Sequence, residues 1–258
     1  MFGEINMIFN THTHLNDSRV ENVAELVKNA NNLGVTHMAV VGSDLLTSKK
    51  AIEIAKQYNH IYAICGIHPC DIPSFLNQYE VLKSYIEDLK TIGIGEIGLD
   101  YHYDDVPKET QLFYFEEFLK LACLYKKPVI IHCREAYNDT FQLLEKYHKQ
   151  LDGIIMHCYS GSVEMMQRFL KLGCYISIAG TVTFKNAKEI KEVAKTVPLN
   201  KLLVETDDPY LTPVPFRGQQ NQPAYVTYVI EEIASLRNMT KEEISKQTYL
   251  NACEVFHL

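Results

Sequence analysis

The sequence predicts an α/β fold: a (β/α)8 TIM barrel that uses the whole chain as a single domain. Three observations predict it. Eight short β-rich runs recur along the chain, at Met7 to Phe9, His37 to Val41, Ile61 to Cys65, Thr91 to Gly95, Val129 to Ile131, Gly153 to Met156, Cys174 to Ile178 and Lys201 to Val204. Helix-period segments separate them, and the start-to-start spacing of roughly 20 to 40 residues suits right-handed βα units. The length, 258 residues, is the usual size for eight such units. An open doubly wound sheet also alternates strand and helix. Its dinucleotide fingerprint is missing here, since no Gly-x-Gly-x-x-Gly follows the first run and Gly93, Gly95 and Gly98 are spaced differently.

Most of the runs are apolar without alternation, as strands buried on both faces are. In the first gap Val20, Val23, Ala24, Val27 and Ala30 repeat at helical spacing, and in the fourth Leu112, Phe115, Leu119 and Ala122 do the same. A final helix is expected to start at Thr240, because Thr240 and Glu243 form a Ser/Thr-x-x-Glu capping box. Pro and Gly fall singly at element ends, and no linker or low-complexity tract divides residues 1–258. Residues 1–6 precede the first run as a short extension or an alternative start.

Composition excludes several classes of protein. With 47% apolar and 22% charged residues the chain buries a sizeable core, so disorder and fibrous repeats are out. A formal charge of −7 disfavours a broad basic groove on long duplex and confines any nucleic-acid chemistry to a local site. No apolar run approaches a membrane span and no signal peptide opens the chain, so a cytoplasmic protein off the membrane is expected. Seven Cys without a CxxC pair read as reduced, mostly buried thiols. Nothing points to an obligate protein partner.

The chemistry is carried by position. Barrel enzymes build their sites at the C-terminal ends of their strands. Here the first run continues into Thr11-His12-Thr13-His14, whose two His at i and i+2 share one side. The third run leads to His68, the fourth to Glu96, the fifth to His132, the sixth to His157 and the eighth to Asp207. A lone His is more often a core or surface group, but so many imidazoles and carboxylates on one rim are costly unless a cation holds them. Cys133 and Cys158, each following a candidate His, should point outward into the helix layer. His37, His60, His148 and His257 fall elsewhere and read as ordinary core or surface histidines, while His102 is left open. A donor set without thiolate suits Zn²⁺, Mn²⁺ or Co²⁺, while Mg²⁺ prefers more oxygen. Six or seven donors exceed what one catalytic zinc takes, so two divalent ions (Mg, Mn or Zn) are expected, with Glu96 as the bridge. Asp207 is placed to take the proton of an attacking water.

These residues fall in motifs that resemble the TatD-type metal-dependent deoxyribonucleases of the amidohydrolase superfamily. The motifs are Thr11-His12-Thr13-His14-Leu15, Gly66-Ile67-His68-Pro69, Gly95-Glu96-Ile97-Gly98-Leu99-Asp100-Tyr101 and Ile131-His132-Cys133-Arg134. Met156-His157-Cys158-Tyr159-Ser160-Gly161, Glu205-Thr206-Asp207-Asp208-Pro209-Tyr210-Leu211 and Arg217-Gly218-Gln219-Gln220-Asn221-Gln222-Pro223 complete the series, nearly end to end. The resemblance implies a barrel that hydrolyses phosphodiesters, with His12, His14, Glu96, His132, His157 and Asp207 as metal ligands. Asn10 departs from the family, which commonly carries Asp there. No Lys ends a strand in the mouth, since Lys126 and Lys127 precede the fifth run, and this separates the chain from carbamate-bridged superfamily members.

The expected activity is cleavage of DNA, at single-stranded ends, by a water activated between two metals, with nucleic acid as the substrate partner. Arg134 and Arg217 are candidates for phosphate contact, His68 for the scissile phosphate or leaving oxygen, and Tyr101, Tyr103 or Tyr159 for stacking on a base. The alternatives are a bimetal amide or ester hydrolase, such as one acting on an aminoacyl ester of tRNA, and a catalytically silent metal-binding scaffold.

Overall fold

The eight runs become strands β1 (Ile8–Thr13), β2 (Val35–Val41), β3 (Ile61–Cys65), β4 (Thr91–Asp100), β5 (Val129–Arg134), β6 (Ile154–Met156), β7 (Tyr175–Ile178) and β8 (Leu202–Val204). They pair in sequence order, each parallel to the next. Every gap holds at least one helix: α1 (Val23–Asn32), α2 (Leu45–Ala55), α3 (Ile72–Phe75), α4 (Tyr79–Ile86), α5 (Lys108–Tyr125), α6 (Tyr137–Tyr147), α7 (Val163–Lys171) and α8 (Lys188–Thr196). After β8 come α9 (Val226–Arg237) and α10 (Lys241–Phe256). This computed structural model describes residues 7–258, and the expected extension, residues 1–6, lies outside the described residues.

The sheet curls until β1 meets β8. The seam is held by Thr11 Oγ1 donating to the Val204 carbonyl (3.1 Å) and by the Asp207 amide donating to the His12 carbonyl (3.1 Å). Asn10, the departure noted above, belongs to this seam. Its Nδ2 donates to Thr206 Oγ1 (2.7 Å) and its Oδ1 accepts from the Thr206 amide (3.0 Å). The Thr206 hydroxyl donates onward to Asp208. An amide fits this chain of donors, because a carboxylate would have no proton to give Thr206.

The apolar residues divide into two layers. Outside the sheet, one continuous core packs the strands against the helices, with Val27 and Ala30 of α1 and Phe115, Leu119 and Ala122 of α5 buried as their spacing predicts. Inside the barrel, Phe9, Ala39, Ile64, Ile130, Ile155, Tyr175 and Leu203 fill the lower half and meet Ala252, Val255 and Phe256 of α10. Helix α10 therefore plugs the floor, and its expected capping box is formed by Thr240 and Glu243. This packed plug forces any ligand to enter from the opposite, C-terminal mouth.

Three strands run past their expected ends, β1 to Thr13, β4 to Asp100 and β5 to Arg134. Their polar tails read as loop by hydropathy. They continue the ladder because most of their polar side chains, buried on β1 and β4 and half-buried on β5, meet other polar groups in the mouth.

Candidate metal centre at the mouth of the barrel

The mouth encloses a cavity of about 790 Å³ whose wall includes His14, His68, Glu96, Asp100, His132, Arg134, His157 and Asp207. Two strands reach it by breaking their own alternation. On β1, Phe9 faces the interior, so strict period two would turn His12 toward the helices; a register irregularity between Asn10 and Thr13 resets the phase. On β4, a Cβ on Gly95 would meet Ile64 and Ile130 inside the barrel, and a second irregularity between Ile94 and Ile97 brings Glu96 inward as well. On β5 and β6 simple alternation suffices, with His132 following Ile130 and His157 following Ile155.

Glu96 lies at the centre, with its two oxygens facing two different groups of donors. Oε2 faces His12 Nε2 at 3.5 Å and His14 Nε2 at 3.9 Å. These nitrogens are 3.2 Å apart and lie 3.7 and 3.3 Å from Asp207 Oδ1. Oε1 lies 2.8 Å from His132 Nδ1 and 2.9 Å from His157 Nε2, with His68 Nε2 at 3.9 Å. Asp207 reaches the first group because its backbone turns left-handed (φ 55°) just past β8, a conformation that a non-glycine residue adopts at a cost of order 1–3 kcal/mol.

The outward nitrogens of these rings are tied down. His132 Nε2 donates to Asp100 Oδ2 (2.9 Å), His157 Nδ1 to Glu205 Oε1 (3.0 Å) and His14 Nδ1 to the Val41 carbonyl (3.0 Å). Carboxylate or carbonyl on the outer nitrogen, with the inner nitrogen free, is how metal-ligating histidines are oriented. His12 differs, since its Nδ1 is buried without a partner. Its ring instead stacks on His157 at 3.9 Å between centroids.

The electrostatics agree. Burial opposes charge on every member, yet the hydrogen bond and charge of Asp207 raise His14 to about 9. Glu96 and Glu205 likewise raise His157 well above the usual imidazole range. Burial and the charge of His157 hold His12 below it. Glu96, although buried, is held well below the carboxylate range by the imidazoles around it. Two imidazole nitrogens 3.2 Å apart can share at most one proton, and two carboxylate oxygens face them. That N/N/O/O donor set fits a divalent cation, as does the Glu96, His132 and His157 group beside it.

His68 stands apart. The Cys70 amide donates to its Nδ1 (3.2 Å), so the neutral ring carries its proton on Nε2. Burial and His132 depress it to about 3, which makes it a neutral donor and not an imidazolium acid.

Several expected contacts fall differently. Tyr159 is 2% exposed, its hydroxyl donates to the Ser162 carbonyl and its ring packs on Phe169, so it offers no face to a substrate. Arg217 lies over the Phe184 ring at 4.0 Å and is not in the cavity wall. Cys133 and Cys158 both border the cavity and do not face wholly into the helix layer. Alternation fails for Cys158 because β6 ends at Met156 and Cys158 itself is left-handed (φ 42°). His102 pairs with Glu135 at the surface. Asp100 and Glu205, which hold the outer nitrogens of His132 and His157, are positions that strand ends alone do not single out. Glu205 follows the inward Leu203 of β8 by two residues, a spacing that places it on the barrel side and could have found it.

Comparison with known proteins agrees with this geometry. A family model described as TatD related DNase matches residues 9–257. The uncharacterized metal-dependent hydrolase YabD of Bacillus subtilis (strain 168) is 42% identical over 257 residues, covering 98% of this chain and all of that protein. The 3'-5' ssDNA/RNA exonuclease TatD of Erwinia tasmaniensis is 29% identical over 241 residues, 91% of this chain and 93% of its own. The crystal structure of YJJV, a TatD homologue from Escherichia coli K12, superposes with a TM-score of 0.93 at 29% identity, over 98% of this chain and 99% of that one.

Proposed function

The chain belongs to the TatD family of metal-dependent hydrolases, and on that premise we propose that it is a deoxyribonuclease that removes nucleotides from single-stranded DNA ends. The observation that carries the two-metal part of this reading is Glu96, whose Oε2 and Oε1 face separate donor groups. The nucleic-acid part is supported by the named activity of the Erwinia relative. We assign His12, His14, Glu96 and Asp207 to one ion and Glu96, His132 and His157 to the other. Such ions polarise a phosphoryl group and lower the pKa of a water.

The chain's own groups then divide the work. Asp207 is held ionised against burial by the His14 hydrogen bond and by the charges of His157 and His12, so it accepts the proton of the attacking water. His68 presents its Nε2–H to the phosphate or the leaving oxygen. Arg134 forms part of the wall and has no carboxylate within ion-pair distance among the described residues, which leaves its guanidinium free for a phosphate. Among the described residues no helix is long and apolar enough to cross a membrane, and seven free thiols suit a reducing cytoplasm.

The test is metal analysis of the purified protein followed by assay on end-labelled single strands, after chelation and after add-back of Mg²⁺, Mn²⁺ or Zn²⁺. Metal-dependent nucleotide release, reduced by orders of magnitude in a folded Asp207→Asn variant, is expected. Activity confined to carbonyl substrates would overturn the reading.

A further inference from the structure

Two tyrosines at the mouth are exposed to a degree that packing does not explain. Tyr103 is 49% exposed and Tyr210 is 48% exposed, and both rings line the cavity. Tyr103 follows β4 and Tyr210 follows β8, and in an eight-stranded barrel those strands lie opposite one another. Glu96 and Asp207 line the same cavity as the two rings.

Each ring is braced by an arginine from the adjacent strand or loop. The Arg134 guanidinium lies 5.2 Å from the Tyr103 ring centre, and that of Arg19 lies 4.3 Å from the Tyr210 ring centre. The two braces differ in charge. Asp17 holds Arg19 by two hydrogen bonds, Nε to Oδ1 at 2.8 Å and Nη2 to Oδ2 at 2.7 Å, so this arginine is neutralised and fixed. Arg134 has no such carboxylate. Other tyrosines near the mouth lack this character: the Tyr101 hydroxyl is bound to Asp139 with Lys108 over its ring, and Tyr159 is buried.

We propose that Tyr103 and Tyr210 are base-stacking platforms on either side of the metal centre, so that the scissile phosphate lies between two stacked bases of an unpaired strand. The proposal rests on the phosphodiesterase reading above and narrows its substrate. Bases held on opposite sides of one centre are splayed apart, which paired and stacked duplex does not permit. Aromatic stacking also tolerates any base, so cleavage carries little sequence preference. The unpaired Arg134 assigns the phosphate-rich flank of the strand to the Tyr103 side.

The test uses the metal-loaded enzyme and a single-stranded DNA oligonucleotide, intact or with a tetrahydrofuran abasic site at one or the other nucleotide flanking the cleaved bond. Tyr103→Ala and Tyr210→Ala should each lower kcat/KM on intact strand by roughly tenfold to a hundredfold, with Tyr→Phe restoring most of it. Each Ala loss should shrink to about twofold on one abasic substrate, a different one for each tyrosine. The wild type should itself be slowed by each abasic site, a measurement that needs no variant. Ala variants with normal metal content that match the wild type on intact strand would overturn the platforms and leave the phosphodiesterase reading standing. So would losses that are equal on every substrate. A wild type inactive on all oligonucleotides with every metal overturns both.

Discussion

The histidines of the mouth are defined less by their inner nitrogens than by what holds the outer ones. Asp100, Glu205 and the Val41 carbonyl fix three rings, and Glu205 is itself anchored by the Ser177 hydroxyl and the Cys158 amide. Glu205→Gln keeps the shape and removes the charge behind His157. Metal affinity should fall by about 10- to 100-fold with the melting temperature of the metal-free protein little changed, as read by competition with a chromophoric chelator. At the other end of the barrel His37 lies among Phe9, His60, Tyr62 and Tyr249. Burial, and then His60, depress it to about 4. The unfolded chain, with an ordinary imidazole near 6.5, binds more protons between those values. The stability His37 contributes is therefore complete above about pH 6.5 and is lost as pH falls toward about 4. Urea midpoints should drop across that window, and His37→Phe should flatten the drop. An unchanged slope in the variant would remove His37 as the cause.

Strand β4 carries the most constrained backbone of the site. Gly98 has φ +143°, and a Cβ there would stand 2.0 Å from the His132 carbonyl oxygen across the β4–β5 ladder. Gly98→Ala thus combines a disfavoured backbone with a clash against the strand that holds His132. A fall in melting temperature of about 5 °C or more is expected, together with weakened metal binding, since the strain falls on His132, one of the proposed ligands. Gly173 is a control, because it too has positive φ (+88°) but nothing within 4 Å of an added Cβ. Its Ala variant should lose less stability and leave metal binding intact. The same strand shows why sequence alone ends an element early: five residues beyond Gly95 belong to the strand, and their polar members resemble loop until the mouth that buries them is known.

At the scale of the molecule, metal binding and stability should be linked. The proposed donors come from β1 and the residue after it, from β4 and β5, and from the segments after β6 and β8, so a cation held among them ties the barrel across its circumference. Chelation should lower the melting temperature, and saturating metal at 1,000 times Kd should restore about 4 kcal/mol. A melting temperature indifferent to chelation would argue against ligands drawn from so many strands. The eight βα units, their order, the capped final helix and the strand-end positions of His12, His14, Glu96, His132, His157 and Asp207 were all legible in the sequence. Each rests on local periodicity and spacing along one strand. The inward turn of His12 and Glu96, the placement of Asp207, the burial of Tyr159 and the opposed Tyr103 and Tyr210 were decided only in the tertiary structure. Register irregularities on β1 and β4 and the left-handed residues at Cys158 and Asp207 reset the alternation that sequence reasoning extends unchanged. Such resets come from pairing with neighbouring strands, which a single strand's pattern does not encode.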